Sequence, residues 1–270
     1  MASIKTFLIA SAVAIGAFNV AHAADLDLPP PPQVEAPPPP VVSGWYLRGD
    51  VGVGFDQLSN FYSTDAPIVP GYSFEGAGLG RQVDIGGGVG YQVNNWVRFD
   101  VTGEYRTATK YWATENYAGT TPDCATCYDD YSGRVSTFDV LANGYIDLGT
   151  WYNFTPFIGA GVGAAFNQFS GLTDVGVQTG GYGVAPTSNS VALAWAIHAG
   201  VDYSFTPNWK LEVAYRYFNG GKVTSDGIVC TAGCTHEVQS FNIASQDVLV
   251  GLRYVFTDVP AVAPPLVTKY

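Results

Sequence analysis

Val97-Arg98-Phe99-Asp100-Val101-Thr102-Gly103-Glu104-Tyr105-Arg106, residues 97–106, decides how this chain is read. Val97, Phe99, Val101 and Tyr105 share one parity; Arg98, Asp100, Glu104 and Arg106 share the other. A period of two belongs to an extended strand, whose successive side chains point to opposite faces. Branched and aromatic residues on one face, with charges of both signs on the other, fit a wall between hydrocarbon and an enclosed polar interior. In a membrane barrel a charge on the lipid face near the midplane costs about 2–4 kcal/mol for Arg or Lys. Charges in every spanning strand must therefore keep to one parity.

Seven more segments pass the same test, and together they predict an all-β chain. The eight are 44–55, 81–92, 97–109, 135–148, 156–168, 190–205, 209–219 and 245–256. Each is at least about nine residues long, as a tilted spanning strand requires. In the first, Trp45, Leu47, Val51, Val53 and Phe55 oppose Arg48 and Asp50. Val83, Ile85, Val89 and Tyr91 oppose Asp84; Phe138, Val140, Ala142, Ile146 and Leu148 oppose Asp139, Asn143 and Asp147. Ile158, Val162 and Phe166 mark the outer face of a nearly uncharged segment. Val191, Leu193, Trp195, Ile197, Val201 and Tyr203 oppose His198 and Asp202. Leu211, Val213, Tyr215 and Tyr217 oppose Lys210, Glu212 and Arg216, and Val248, Val250, Leu252 and Tyr254 oppose Asp247 and Arg253. Arg81 and Arg134 carry the apolar parity but fall at the outer rim, in reach of lipid phosphates.

The connections alternate in length. Those near 93–96, 149–155 and 206–208 are short; those near 56–80, 110–134, 169–189 and 220–244 are long. Three short turns and four long loops fit an eight-stranded antiparallel up-and-down transmembrane β-barrel with both ends on the short-turn side. The short turns then face the periplasm and the long loops the exterior. Trp45, Trp96, Trp151 and Trp209 fall at the periplasmic ends, where an aromatic girdle belongs.

Composition agrees. Charged residues make up 13% of the 270, against about 25% in a soluble domain. No mature stretch approaches the roughly 18 apolar residues of a spanning helix. A net charge of −11 offers no basic patch for nucleic acid.

At the front, Lys5, the apolar run Phe7 to Ala17 and Ala21-His22-Ala23 read as a signal peptide over 1–23, cleaved after Ala23. Residues 24–43, with Pro29 to Pro32 and Pro37 to Pro40, read as an extended periplasmic linker. The barrel is expected over 44–256 and a tail over 257–270. Export permits disulfides, so Cys124, Cys127, Cys230 and Cys234 are disulfide candidates, with three connectivities open. A four-thiolate zinc site is disfavoured, because the pairs differ in spacing and lie in different loops. No cofactor or metal is expected.

The lumen of an eight-stranded barrel is just wide enough for side chains to fill it. Arg48, Arg98, Arg106, Arg216 and Arg253 are expected there with Asp50, Asp84, Asp100, Glu104, Asp139, Asp202, Glu212 and Asp247, as a plug of paired charges. Tyr46, Leu141, Phe157 and Phe218 share the inward parity. So do Gly86, Gly88, Gly90, Gly159, Gly161 and Gly163, which are expected to leave room for the arginines. His198 is expected to bond a neighbouring luminal charge.

The chain also resembles a known family, the opacity-type, porin-like outer-membrane surface antigens of alphaproteobacteria. The resemblance rests on the Ala24-Asp25-Leu26 start, the Pro-rich lead and Gly44-Trp45-Tyr46-Leu47-Arg48-Gly49. It continues through Asp139-Val140-Leu141-Ala142-Asn143-Gly144-Tyr145-Ile146-Asp147-Leu148-Gly149 and Thr155-Pro156-Phe157-Ile158-Gly159-Ala160-Gly161. Gly251, Tyr254 and Phe256 are similar to the terminal signal read by the barrel-assembly machinery, although Leu249 replaces a usual polar residue and the chain runs past Phe256. The resemblance implies an abundant envelope protein; family members are variously structural, porin-like or haem-binding.

The expected function is a non-enzymatic surface protein whose barrel anchors four long extracellular loops. Its expected partners are outer-membrane lipids and lipopolysaccharide, the barrel-assembly machinery and a surface ligand of the loops. A narrow porin conducting small solutes and a haem-binding surface protein, with His236 and loop tyrosines as ligands, are the alternatives.

Overall fold

The computed structural model describes residues 43–121, 124–231 and 236–256. The expected signal peptide, nearly all of the Pro-rich linker and the C-terminal tail lie outside them. The strands in chain order are β1 (Gly44–Ser63), β2 (Ser73–Leu79), β3 (Arg81–Gln92), β4 (Val97–Thr121), β5 (Cys124–Asp147) and β6 (Phe154–Gly176). They continue with β7 (Tyr182–Val184), β8 (Ser188–Ser204), β9 (Trp209–Thr224), β10 (Val229–Cys230) and β11 (Gln239–Val255). β1, β3, β4, β5, β6, β8, β9 and β11 pair in that order, all antiparallel. β11 returns to β1 with Tyr46 opposite Val255, so the ring is closed. Closure leaves no unpaired edge within the wall, which hydrocarbon demands.

The tight turns are built by local chemistry. Asn94 Oδ1 accepts from the amides of Trp96 (2.8 Å) and Val97 (2.9 Å), and Thr206 Oγ1 accepts from the amide of Trp209 (2.9 Å). Side chains that hydrogen-bond the backbone a few residues on favour turns. Tyr152 and Asn153 reverse the chain with φ of 50° and 71°.

Apolar residues cover the outside of the ring and charges fill the inside. Val51, Val53, Ile85, Phe99, Val101, Ile146, Val162, Ile197, Val213 and Val250 are exposed, while Arg98, Arg216, Arg253, Asp84, Asp139 and Asp247 are fully buried. A water-soluble sheet does the reverse. Trp45, Trp96, Trp151 and Trp209 stand exposed beside the tight turns.

The strands outrun their expected limits on the far side. The expected loop 110–134 is almost entirely strand, as β4 and β5 continue pairing to Thr121 opposite Cys124. β1 extends to Ser63, β6 to Gly176, β9 to Thr224, and β11 begins at Gln239. β2 adds to β4, β7 to β6 and β10 to β7. The four expected long loops are thus largely a β-sheet extension of the barrel.

Bulges explain why the periodicity breaks at this level. Register shifts fall between Ser59 and Tyr62, Arg106 and Thr109, Ser132 and Arg134, and Ile243 and Ala244. An extra residue in one strand moves all later side chains to the other face. On β4 the buried positions change from Thr102, Glu104 and Arg106 to Thr109, Tyr111 and Ala113. On β6 they change from Ala165, Asn167 and Phe169 to Leu172 across Gly171, whose φ is +61°.

Candidate functional site

The lumen holds two clusters of ion pairs. In the first, near the tight turns, Arg48 reaches Asp50 (3.1 Å), Asp100 (3.3 Å) and Glu212 (2.9 Å). Arg98 reaches Asp147 (3.1 Å), Glu212 (3.5 Å) and Asp202 (3.8 Å), and Arg253 pairs with Asp202. The Arg98 guanidinium lies 4.2 Å from the Tyr145 ring centroid and 4.5 Å from that of Phe157. Neutral donors complete the carboxylates: Tyr46 Oη donates to Asp100 (3.0 Å), as does Asn143 Nδ2 (2.8 Å), and Gln92 Nε2 donates to Asp147 (3.1 Å).

In the second cluster Arg106 reaches Asp139 (3.0 Å), Asp247 (3.1 Å) and Asp84 (3.5 Å). Arg216 reaches Asp247 (2.8 Å) and Asp84 (3.6 Å) and pairs with Glu104. Arg106 sits 3.6 Å over the Phe218 ring. A guanidinium suits this work because it stays charged, forks to two carboxylates and stacks on aromatic faces.

Every charge expected in the luminal plug takes part in one of these clusters; Lys210, of the same parity, is half-buried and makes no ion pair within 4.0 Å among the described residues. Asp147, Tyr46, Tyr145 and Asn143 join them as partners; their inward parity marked their place but not their bonds. Two expectations change. The luminal glycines do not make room for arginines: a Cβ at Gly86 would meet Glu104, at Gly90 Tyr46, at Gly159 Tyr145, and at Gly161 Asn143. Nor does His198 bond a charge through Nε2, which makes no hydrogen bond; the ring instead packs on Tyr145 with centroids 5.4 Å apart.

Beyond the bulges the interior becomes apolar. Tyr111, Val135, Phe169, Leu172, Val223, Ile228, Phe241 and Ile243 form a buried cluster. Tyr111 stacks on Phe241 at 5.2 Å, and Phe169 meets Tyr111 edge-on at 5.0 Å. A polar network caps it: Tyr111 Oη donates to Gln239 (2.7 Å), Tyr131 Oη and Ser63 Oγ donate to Glu237 (2.7 and 2.6 Å), and Tyr72 Oη donates to Glu115 (2.6 Å). Burial, with the Glu237 carboxylate next in weight, pushes the Glu115 carboxyl up to about 8. This cap escaped the sequence reading. Its signal is the odd-numbered row Thr109, Tyr111, Ala113 and Glu115, visible once a bulge is allowed in β4.

Cys124 and Cys127 form a disulfide in the β4–β5 hairpin, and Cys230 is disulfide-bonded. Cys234 lies outside the described residues. His236 is exposed next to β11.

Residues 10–256 match the family model described as "Outer membrane protein beta-barrel domain". The chain belongs to that family. An uncharacterized protein of Brucella abortus (strain 2308) is 30% identical to this barrel protein over 233 residues, covering 77% of the chain and 79% of the relative. A Rickettsia prowazekii protein named as a candidate adhesin is 24% identical over 220 residues, covering 78% and 86%. Among solved structures, Neisserial surface protein A covers 80% of the chain and 99% of its own, at 17% identity and a TM-score of 0.45. By its family this barrel is a protein of the Gram-negative outer membrane.

Proposed function

We propose that this protein is a sealed, non-enzymatic outer-membrane barrel that supports the envelope and displays a rigid β-sheet extension to the outside. The observation that carries the reading is the filled lumen. Two layers of ion pairs span it, and the buried cluster around Tyr111, Phe169 and Phe241 lies above them. Ion pairs desolvated on every side hold one another in place and resist hydration. The extension, paired strand to strand and tied by the Cys124–Cys127 disulfide, presents a fixed surface to an extracellular ligand. The partners this reading implies are lipids and lipopolysaccharide around the apolar belt, the barrel-assembly machinery at β11, and that surface ligand.

Planar-bilayer recording on the refolded chain tests it. A sealed barrel gives no conductance steps; discrete steps would establish the narrow porin instead. A haem titration with no Soret shift removes the haem-binding alternative.

A further inference from the structure

The outer surface carries a cavity of about 750 Å³ lined by Lys110, Arg134, Ser132, Ser170, Thr173 and Gly171. It lies where bulges flank β5 on both sides. Toward β4 the register slips between Arg106 and Thr109; toward β6 it slips between Ser132 and Arg134, where Gly171 turns with φ +61°. The slips interrupt both ladders around β5 at the recess.

Lys110 and Arg134 lie directly opposite one another in the β4–β5 register, and both are exposed. Like charges in cross-strand partners repel. Neither has a carboxylate within 4.0 Å among the described residues. The outward acid next in line, Asp130, accepts instead from Thr114 Oγ1 (2.8 Å). The hydroxyls of Ser132 and Thr173 are 2.9 Å apart at the recess. Arg81 continues the arc on β3, beside Gly80, whose amide donates to the Lys110 carbonyl (3.0 Å).

Height identifies the ligand. Arg134 lies about 30 Å from the Trp girdle at the rise and tilt usual for such strands, just above an apolar band of about 25 Å. Below it on the outer face come Ser136 and Gln168, then Phe138 and Phe166 with ring centroids 6.2 Å apart, and then Val140 and Val162. A ligand filling this groove is anionic at the top and hydrocarbon beneath.

We propose that Lys110 and Arg134 clasp a phosphate of an outer-leaflet glycolipid, the phosphorylated glucosamine core of lipopolysaccharide, with its acyl chains laid over Phe138 and Phe166. The cation pair supplies charge-assisted hydrogen bonds, and the anion removes their mutual repulsion. This goes further than the lipid partnership proposed above by naming the site, and it holds whether or not the barrel conducts.

The test uses the full chain refolded in maltoside micelles. Native mass spectrometry counts bound bisphosphorylated lipid A, its dephosphorylated form, and inorganic phosphate as competitor. Wild type is expected to retain bisphosphorylated lipid A at least about tenfold more tightly than the dephosphorylated form. The double variant Lys110→Gln/Arg134→Gln is expected to lose that preference, and Lys110→Arg/Arg134→Lys to keep it. A heat-shifted gel band shows that each variant is folded. Equal binding of the two lipids by wild type would overturn the proposal, because acyl chains alone would then drive binding. So would an unchanged preference in the double glutamine variant. Displacement of lipid A by millimolar inorganic phosphate would overturn it in favour of a site for free phosphate.

Discussion

Arg106 shows what a single residue does in this lumen. Its guanidinium is fully desolvated, bridges Asp84, Asp139 and Asp247, and rests on Phe218. Removing one partner of a buried ion pair leaves an uncompensated charge and costs about 3–5 kcal/mol. Arg106→Met should therefore lower the urea midpoint of the barrel in vesicles, and adding Asp139→Asn should restore part of the loss. A variant as stable as wild type would mean that these carboxylates have other counterions. At this scale the sequence reads well for location and poorly for partnership. Parity put Arg106 and Asp139 in the lumen, because hydrocarbon tolerates neither. Which arginine meets which acid depends on strands far apart in the chain, such as Arg48 with Glu212.

At the scale of the element, the bulges matter most. They fall near the outer rim and divide each affected strand into a spanning part and an extracellular part. Gly171 and Gly221 both adopt positive φ at bulges, +61° and +71°. Their surroundings differ: a Cβ at Gly171 meets nothing within 4 Å, whereas one at Gly221 would strike Ala192 and the Leu193 carbonyl. Gly171→Ala should cost about 1 kcal/mol from backbone strain alone. Gly221→Ala should cost clearly more, because the clash between β8 and β9 adds to that strain. Urea titrations of the two variants side by side check the order. Equal costs would show that the strands part easily there. The spanning strands and tight turns were legible because alternation runs unbroken through them. The extension was not, because one inserted residue inverts the alternation and makes a strand resemble a loop.

For the molecule as a whole, the organising fact is inverted solvation. Val140 faces outward near the middle of the spanning part of β5, and Gln168 is exposed at the rim of β6. Val140→Arg should destabilise the folded barrel by about 2–4 kcal/mol, and Gln168→Arg by about 0–1 kcal/mol. Equilibrium folding into vesicles, read by the heat-sensitive gel shift, measures both. A penalty independent of depth would remove the membrane from the account. The sequence by itself determined the number of spanning strands, their inward and outward faces, and the charges that line the lumen. It could do so because each follows from local alternation against hydrocarbon. Only the tertiary structure decided the ion-pair partners, the apolar cap and the cationic recess at Lys110 and Arg134. Those depend on how distant strands align across a closed ring and on where bulges shift that alignment, and neither is written in a period of two.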